Sequence, residues 1–134
     1  MKQIALGLVF IFSTAASFAA CPGTTPVSQE MKASEAVVVG TVMSARMVPQ
    51  AWDTLDGTEY LVHVDRKVKG KPSGDIKIFA EHTDNAVFLQ SGTQYLFFLT
   101  NNNQHWMINQ CGNSGPMSEE DQAIKRMVHA AGND

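Results

Sequence analysis

The sequence predicts a mainly β protein: a small five-stranded barrel with a short N-terminal helix and a C-terminal helix. Five short segments are rich in β-branched and aromatic residues, and links of hairpin length separate most of them. A closed barrel hides most strand edges, which a flat sheet of this size would leave exposed. The chain has 134 residues, which is enough for one domain of ordinary size and too short for a multidomain enzyme.

The first 20 residues have the three parts of a secretory signal peptide. Lys2 gives a positive start, an apolar run follows over residues 4–12, and small residues dominate 13–20. A transmembrane anchor is the alternative, but it needs about 20 consecutive apolar residues with a positive flank after them. The apolar run is shorter than that, so the pattern predicts export and cleavage.

Cleavage after Ala19 or Ala20 is predicted to leave one domain at 21–134, located in the periplasm or outside the cell. Lys2 is the one charged residue of the signal segment (1–20), so the remaining chain has nine basic and 13 acidic residues. The resulting formal charge of −4 argues against nucleic acid as a partner, because phosphate binding needs a strongly basic surface. No apolar run of transmembrane length follows the signal segment.

Local patterns predict the first elements of the domain. Ser28 is the predicted cap of a short helix at 29–34. Dense β-branched residues predict the first strand at 36–46, and Gly40 within it indicates a bulge or a sharp bend. Residues 60–68 alternate apolar and polar side chains, which predicts a second strand with one buried face. The buried face is predicted to carry Tyr60, Val62, Val64 and Val68, and the outer face Leu61, His63, Asp65 and Lys67.

The remaining elements follow in the same way. Glycine and proline residues predict a turn at 69–75, after which 76–79 is the third strand. The apolar residues 95–99 predict a buried central strand, and the last strand is expected at 105–110. A weak capping pattern and an apolar stripe predict a helix at 119–130. The stripe consists of Ala123, Ile124, Met127 and Val128.

No catalytic or metal-binding arrangement is visible in the sequence, so we expect no enzyme activity, no cofactor and no metal site. The four histidines lack the spacing of metal ligands, and neither CxxC nor HxxxH occurs. Ser114 lacks the strand–nucleophile–helix context of a hydrolase, and Asp53 and Asp56 supply too few oxygens for a calcium loop. Solvated side chains are the favoured interpretation. The histidines are His63, His82, His105 and His129.

A basic patch at the end of the second predicted strand is the most concentrated charge in the chain. It consists of Arg66, Lys67, Lys69 and Lys71. Such a patch suits an anionic glycan or lipid head group at the cell surface. The alternative is a solvated strand end whose lysines protect a sheet edge.

Cys21 and Cys111 are the two cysteines, and in an oxidising compartment they are expected to be structural. They lie 90 residues apart in the chain. If they pair, closing so long a loop stabilises the fold by about 4–5 kcal/mol in the chain-entropy model. Cleavage after Ala20 would instead leave Cys21 at the N-terminus, where a lipoprotein signal requires it.

Four features in a set order span nearly all of the mature chain. They are a cysteine just after the signal peptide, the segment 36–42, the segment 64–70 that ends in Lys-Gly, and the segment 92–99 followed by Cys111. Together they resemble a bacterial netrin-like domain, the OB-fold module shared with the tissue inhibitors of metalloproteinases. The resemblance implies an OB-fold barrel and a disulfide from Cys21 to Cys111 that ties an N-terminal arm to the end of the fifth strand. Gly23 stands where the inhibitors have a second cysteine.

The expected function is a secreted or periplasmic, non-catalytic module that binds a protein through the arm and adjacent loops, with protease inhibition as one form. Trp52, in the loop at 49–57, either contacts the partner or folds back onto the barrel. The candidate contact residues are Pro22, Gly23, Thr24, Thr25 and Trp52. The alternative is an envelope protein, lipidated at Cys21, that binds anionic glycans or lipid head groups through the basic patch.

Overall fold

The computed structural model describes residues 25–48, 57–82, 87–102, 105–118 and 124–126. Its elements are one helix and six strands, and residues 124–126 are also helical. They are α1 (Val27–Ala33), β1 (Ala36–Val48), β2 (Gly57–Lys69), β3 (Asp75–Glu81), β4 (Gln94–Asn101), β5 (Trp106–Ile108) and β6 (Gly115–Pro116). The signal segment and most of the predicted helix at 119–130 lie outside the described residues.

Five strands close into a barrel in the order β1–β2–β3–β5–β4, and β4 pairs back onto β1. β3 and β5 run parallel, whereas the other pairs are antiparallel. This confirms the predicted small OB-fold-like barrel. β6 was not predicted: it adds two residues to β4, with Gly115 opposite Leu96 and Pro116 opposite Tyr95.

β1 closes the barrel because it pairs along both of its edges. Its first half pairs with β4 over residues 36–41, and it pairs with β2 along most of its length. Between Val39 and Gly40 the pairing on β2 skips Asp65, so a bulge lies where the glycine predicted one. A Cβ on Gly40 would lie 2.6 Å from Val62 Cγ1 and 2.9 Å from the His63 carbonyl oxygen. The glycine therefore lets β2 approach closely at the bend.

Two apolar clusters, one on each side of β1 and β4, form the core. The first fills the barrel and includes Val38, Val62, Ile78, Phe97 and Leu99. The second lies between the barrel and α1, and is built from Val37, Val39, Leu96 and Phe98 with Val27, Met31, Val68, Met117 and Ile124 packed against it. Both faces of these strands are covered at 36–39 and 95–99, so these two segments are continuously apolar and do not alternate.

The structure corrects several predicted details. α1 begins at Val27, and Ser28 is not its cap: the Pro26 carbonyl accepts the Gln29 and Glu30 amides, with no side-chain cap. A proline just before a helix already has the φ angle that a helix needs, so the helix starts there. β3 is longer than predicted and β5 shorter. The predicted faces of β2 are confirmed at its centre, where Tyr60 and Val62 are buried and the opposite face is more exposed.

Asp65 links three strands where the barrel closes. Its Oδ2 accepts hydrogen bonds from the Thr41 hydroxyl on β1 at 2.6 Å and from Gln94 Nε2 on β4 at 3.0 Å. Burial acts to raise the pKa of Asp65, but the hydrogen bonds from Gln94 and Thr41 and the nearby His63 outweigh it, so the pKa is lowered from its ordinary value of 3.8. The ionised carboxylate is the form that the fold favours.

We predict that Asp65 stabilises the fold above about pH 4 and that this stabilisation is lost as the pH falls through its lowered pKa. Asp65→Asn should reduce the free energy of unfolding by up to about 1 kcal/mol at neutral pH, because the site is exposed. The difference from wild type should vanish in acid. Urea unfolding of both proteins between about pH 2 and pH 7 measures this.

Thr41→Val is the matched control, since it removes one donor to Asp65 and keeps the side-chain shape. It should show a smaller acid-dependent loss than wild type. A difference between wild type and Asp65→Asn that stays constant down to about pH 2 would contradict the assignment.

Candidate functional site

The structure describes the predicted N-terminal arm (21–26) only from Thr25 onward. Pro22, Gly23, Thr24 and Trp52 lie outside the described residues, as does Cys21. Thr25 is half-buried, and its carbonyl oxygen accepts a hydrogen bond of 2.8 Å from Asn113 Nδ2. The arm is therefore held at its base by a residue 88 positions further along the chain.

Glu30 on α1 holds the same asparagine. Its Oε2 accepts the Asn113 backbone amide and the Asn113 side-chain Nδ2, both at 2.6 Å. Glu30 is 4% exposed, and hydrogen bonds to a buried carboxylate are shorter and stronger than those between neutral groups. We call Thr25, Glu30 and Asn113 the arm clamp, because they join the arm, the helix and the loop that follows the last barrel strand.

The other oxygen of Glu30, Oε1, favours glycine at position 112, next to the clamp. Oε1 is buried and has no hydrogen-bond partner among the described residues. It lies against Gly112, where a Cβ would overlap it. A Cβ at 112 would displace the end of the Glu30 side chain from its place in the clamp, and glycine avoids this.

Cys111 lies directly before the clamp. It is half-buried in a turn in which Asn109 Oδ1 accepts the Cys111 amide and the Asn109 carbonyl accepts the Gly112 amide, both at 3.0 Å. The described residues include no free cysteine. The disulfide to Cys21 stays a prediction, and it would attach the arm to the turn that the clamp already holds.

Lys69 of the predicted basic patch has a structural role at the end of α1. Its ammonium group donates to the carbonyl oxygens of Met31 at 2.8 Å, Lys32 at 3.2 Å and Ser34 at 2.6 Å. A cation there complements the partial negative charge of a helix C-terminus and satisfies carbonyls that lack helical partners. An ammonium group has three hydrogens, and these three acceptors use them all.

The other members of the basic patch differ in their surroundings. Lys67 and Lys71 are exposed, whereas Arg66 is half-buried and lies opposite Val39 in the pairing of β1 with β2. The structure therefore leaves two exposed lysines for an anionic ligand and uses Lys69 to fix the helix.

The other candidate residues have ordinary structural contacts. His63 pairs with Asp75 at 2.7 Å on the surface, and His82 Nε2 lies 2.8 Å from the Thr58 hydroxyl. Ser114 Oγ accepts the Phe98 amide at 2.8 Å, which fixes the segment that leads into β6. Asp53, Asp56 and His129 lie outside the described residues.

The described ranges contain neither a metal-ligand cluster nor a membrane-spanning helix. No group of three or more histidine, cysteine, aspartate or glutamate side chains is placed there to hold a metal ion. Within the same ranges, no helix has both the length and the apolar character needed to cross a bilayer.

No protein-family model matches the sequence, and no curated protein matches it either.

The arm clamp predicts that the Asn113 side chain contributes strongly to the free energy of unfolding. Asn113→Ala removes the two hydrogen bonds that Asn113 Nδ2 donates, one to Glu30 Oε2 and one to the Thr25 carbonyl, and keeps the backbone amide bond to Oε2. Because one lost bond goes to a buried carboxylate, the free energy of unfolding should fall by roughly 1.5–3 kcal/mol. Chemical denaturation measures the change.

Gln29→Ala is the matched control, because Gln29 is exposed on the same helix. It should change the free energy of unfolding by no more than about 0.5 kcal/mol. If Asn113→Ala costs no more than Gln29→Ala, the clamp does not hold the arm.

Proposed function

We propose that the protein is an exported, non-catalytic binding module of the netrin-like type that engages a protein partner through its N-terminal arm and adjacent loops. The arm clamp carries the proposal. It connects the base of the arm to α1 and to the turn at 109–113, so the arm leaves the barrel from a fixed position.

The arm clamp preorganises the arm for binding. A flexible arm loses conformational entropy when a partner binds it, at a cost of about 0.5–1.5 kcal/mol for each side chain that is immobilised. The hydrogen bond from Asn113 to the Thr25 carbonyl reduces this cost at the arm's base. The predicted bond from Cys21 to Cys111 would fix the other end of the arm, so that 22–24 form a short segment held at both sides.

The partner class is a protein, and a protease is one candidate within it. The arm offers backbone groups and small side chains at Pro22, Gly23 and Thr24, which suit an extended contact in a groove. The inhibitor-like form has its own test: incubation with a panel of metalloproteases. Unchanged rates throughout the panel would reject that form and leave protein binding in place.

The alternative of a lipidated envelope protein has less support. The ammonium group of Lys69 is already bound by three carbonyls, which weakens the basic patch as a ligand site. A lipidated Cys21 also could not pair with Cys111. Mass spectrometry without reduction separates the two proposals, because the disulfide lowers the mass by two hydrogens and lipidation raises it.

The proposed function is tested by capture from the envelope and secreted fractions of the source organism. The bait is the wild-type mature protein, and the arm variant has 22–24 replaced by Ser-Gly-Ser with Cys21 kept. We expect the captured partner to be reduced at least about ten-fold by the arm variant, since the variant changes the side chains of the proposed contact.

Lys67→Ala/Lys71→Ala is the matched control, because it removes the two exposed charges of the basic patch and leaves the arm unchanged. It should capture the partner as wild type does. Capture that survives the arm variant, or that fails in the lysine control, would contradict binding through the arm.

A further inference from the structure

A pocket of about 490 Å³ opens at one end of the barrel, beside β6. Its apolar lining comes from separate parts of the chain: Phe88, Leu89, Tyr95, Phe97, Ile108 and Pro116. Tyr95, Phe97 and Ile108 also belong to the cluster that fills the barrel, and Leu89 packs against that cluster. The pocket is thus an extension of the barrel core to the surface.

Hydrogen bonds fix the loop that forms one wall of the pocket. The Leu89 amide donates to the Tyr60 hydroxyl at 3.2 Å, and the Gln90 amide donates to the Tyr95 hydroxyl at 2.8 Å. The Thr93 amide donates to the Gln90 carbonyl at 3.2 Å, which closes a turn. Two buried tyrosines therefore hold the backbone at 89–90 on the end of the barrel.

The opposite wall is fixed as well. β6 pairs with β4 at Tyr95 and Leu96, and Ser114 Oγ accepts the Phe98 amide. A pocket whose walls are held before binding does not lose loop entropy when a ligand enters. Its volume also falls in the range of roughly 300–1,000 Å³ that is typical of sites for small molecules.

The chemistry of the lining defines the class of ligand. None of the described lining residues carries a charge, and the polar ones are Gln90, Thr93, Ser114 and Ser118. Their hydroxyl and amide groups can donate or accept single hydrogen bonds. A charged ligand would lose its hydration without gaining an opposite charge, which is costly. Phe88 is 74% exposed beside the opening, so an apolar ring also extends the site to the rim.

We propose that this pocket binds a small neutral molecule that combines an apolar ring with hydrogen-bonding groups, because polar and apolar residues both line it. The site differs from the arm clamp, and the inference goes beyond the proposed function because it needs neither the arm nor a protein partner. Ligand binding would add a second activity to the module.

Two fluorescent probes test whether the site prefers a neutral ligand, and variants of the protein test whether that site is the pocket. N-phenyl-1-naphthylamine is neutral, and 1-anilinonaphthalene-8-sulfonate has the same ring system with a negative charge. Titration of the mature wild-type protein should give a dissociation constant at least about ten-fold lower for the neutral probe, because none of the described lining residues offers the sulfonate an opposite charge.

Thr93 is a half-buried lining residue, so Thr93→Phe should fill the pocket. The dissociation constant of the neutral probe should then rise at least about ten-fold. Thr100→Phe is the matched control: it makes the same change at an exposed position of β4, away from the lining. It should bind the probe as wild type does, and so should the arm variant.

Nuclear magnetic resonance on the wild type gives an independent readout should Thr93→Phe not fold. The neutral probe should shift the Ile108 methyl signals and leave those of the exposed Met43 unchanged. The proposal is overturned if the neutral probe does not bind, if the two probes bind equally, if a folded Thr93→Phe binds as wild type does, or if Met43 shifts and Ile108 does not.

Discussion

One buried carboxylate, that of Glu30, joins three parts of the molecule that are distant in sequence. Its two hydrogen bonds to Asn113 span 83 residues, and Asn113 in turn holds the Thr25 carbonyl. Burying a charge is costly unless strong hydrogen bonds offset the lost hydration, and here one oxygen has both bonds while the other lies against Gly112. The position of α1, the base of the arm and the path of the chain after Cys111 all depend on this group.

The same helix completes the hydrophobic core. Glu30 fixes the middle of α1 and Lys69 fixes its C-terminal end, so the apolar residues Val27 and Met31 stay against the outer face of β1 and β4. Those two strands close the barrel, and the second apolar cluster covers the side that the barrel interior does not use. One carboxylate oxygen bonded by two amide groups and one ammonium group bonded by three carbonyls thereby position a helix that is too short to be stable alone.

The barrel was predictable from the sequence because its signals are local. Each local pattern predicts the conformation of its own segment, and Gly40 indicated the bulge. The patterns are the apolar segments 36–42 and 95–99, the turn at 69–75 and the alternation in 60–68. β6 was missed because two residues that include a proline carry no periodic signal. Its pairing depends on the Tyr95 and Leu96 backbone, which only the folded chain brings near.

The site was harder to predict because its contacts are long-range. Lys69 looked like one member of a surface patch, yet its acceptors lie 35–38 residues earlier in the chain. No local pattern marks Glu30 or Gly112-Asn113 as partners, because only barrel closure brings them together. The pocket likewise exists only once β4, β6 and the loop at 87–90 meet.

Amide hydrogen exchange at Asn113 tests the central claim most directly, because the Asn113 amide is bound to Glu30 in the native state alone. The account predicts that this amide exchanges within about ten-fold of the rate at Leu99 in the buried strand β4, and that Gly112 is protected with it. Exchange of the Asn113 amide at the rate of an unstructured peptide, with Leu99 still protected, would contradict the claim that Glu30 fixes the loop and the arm.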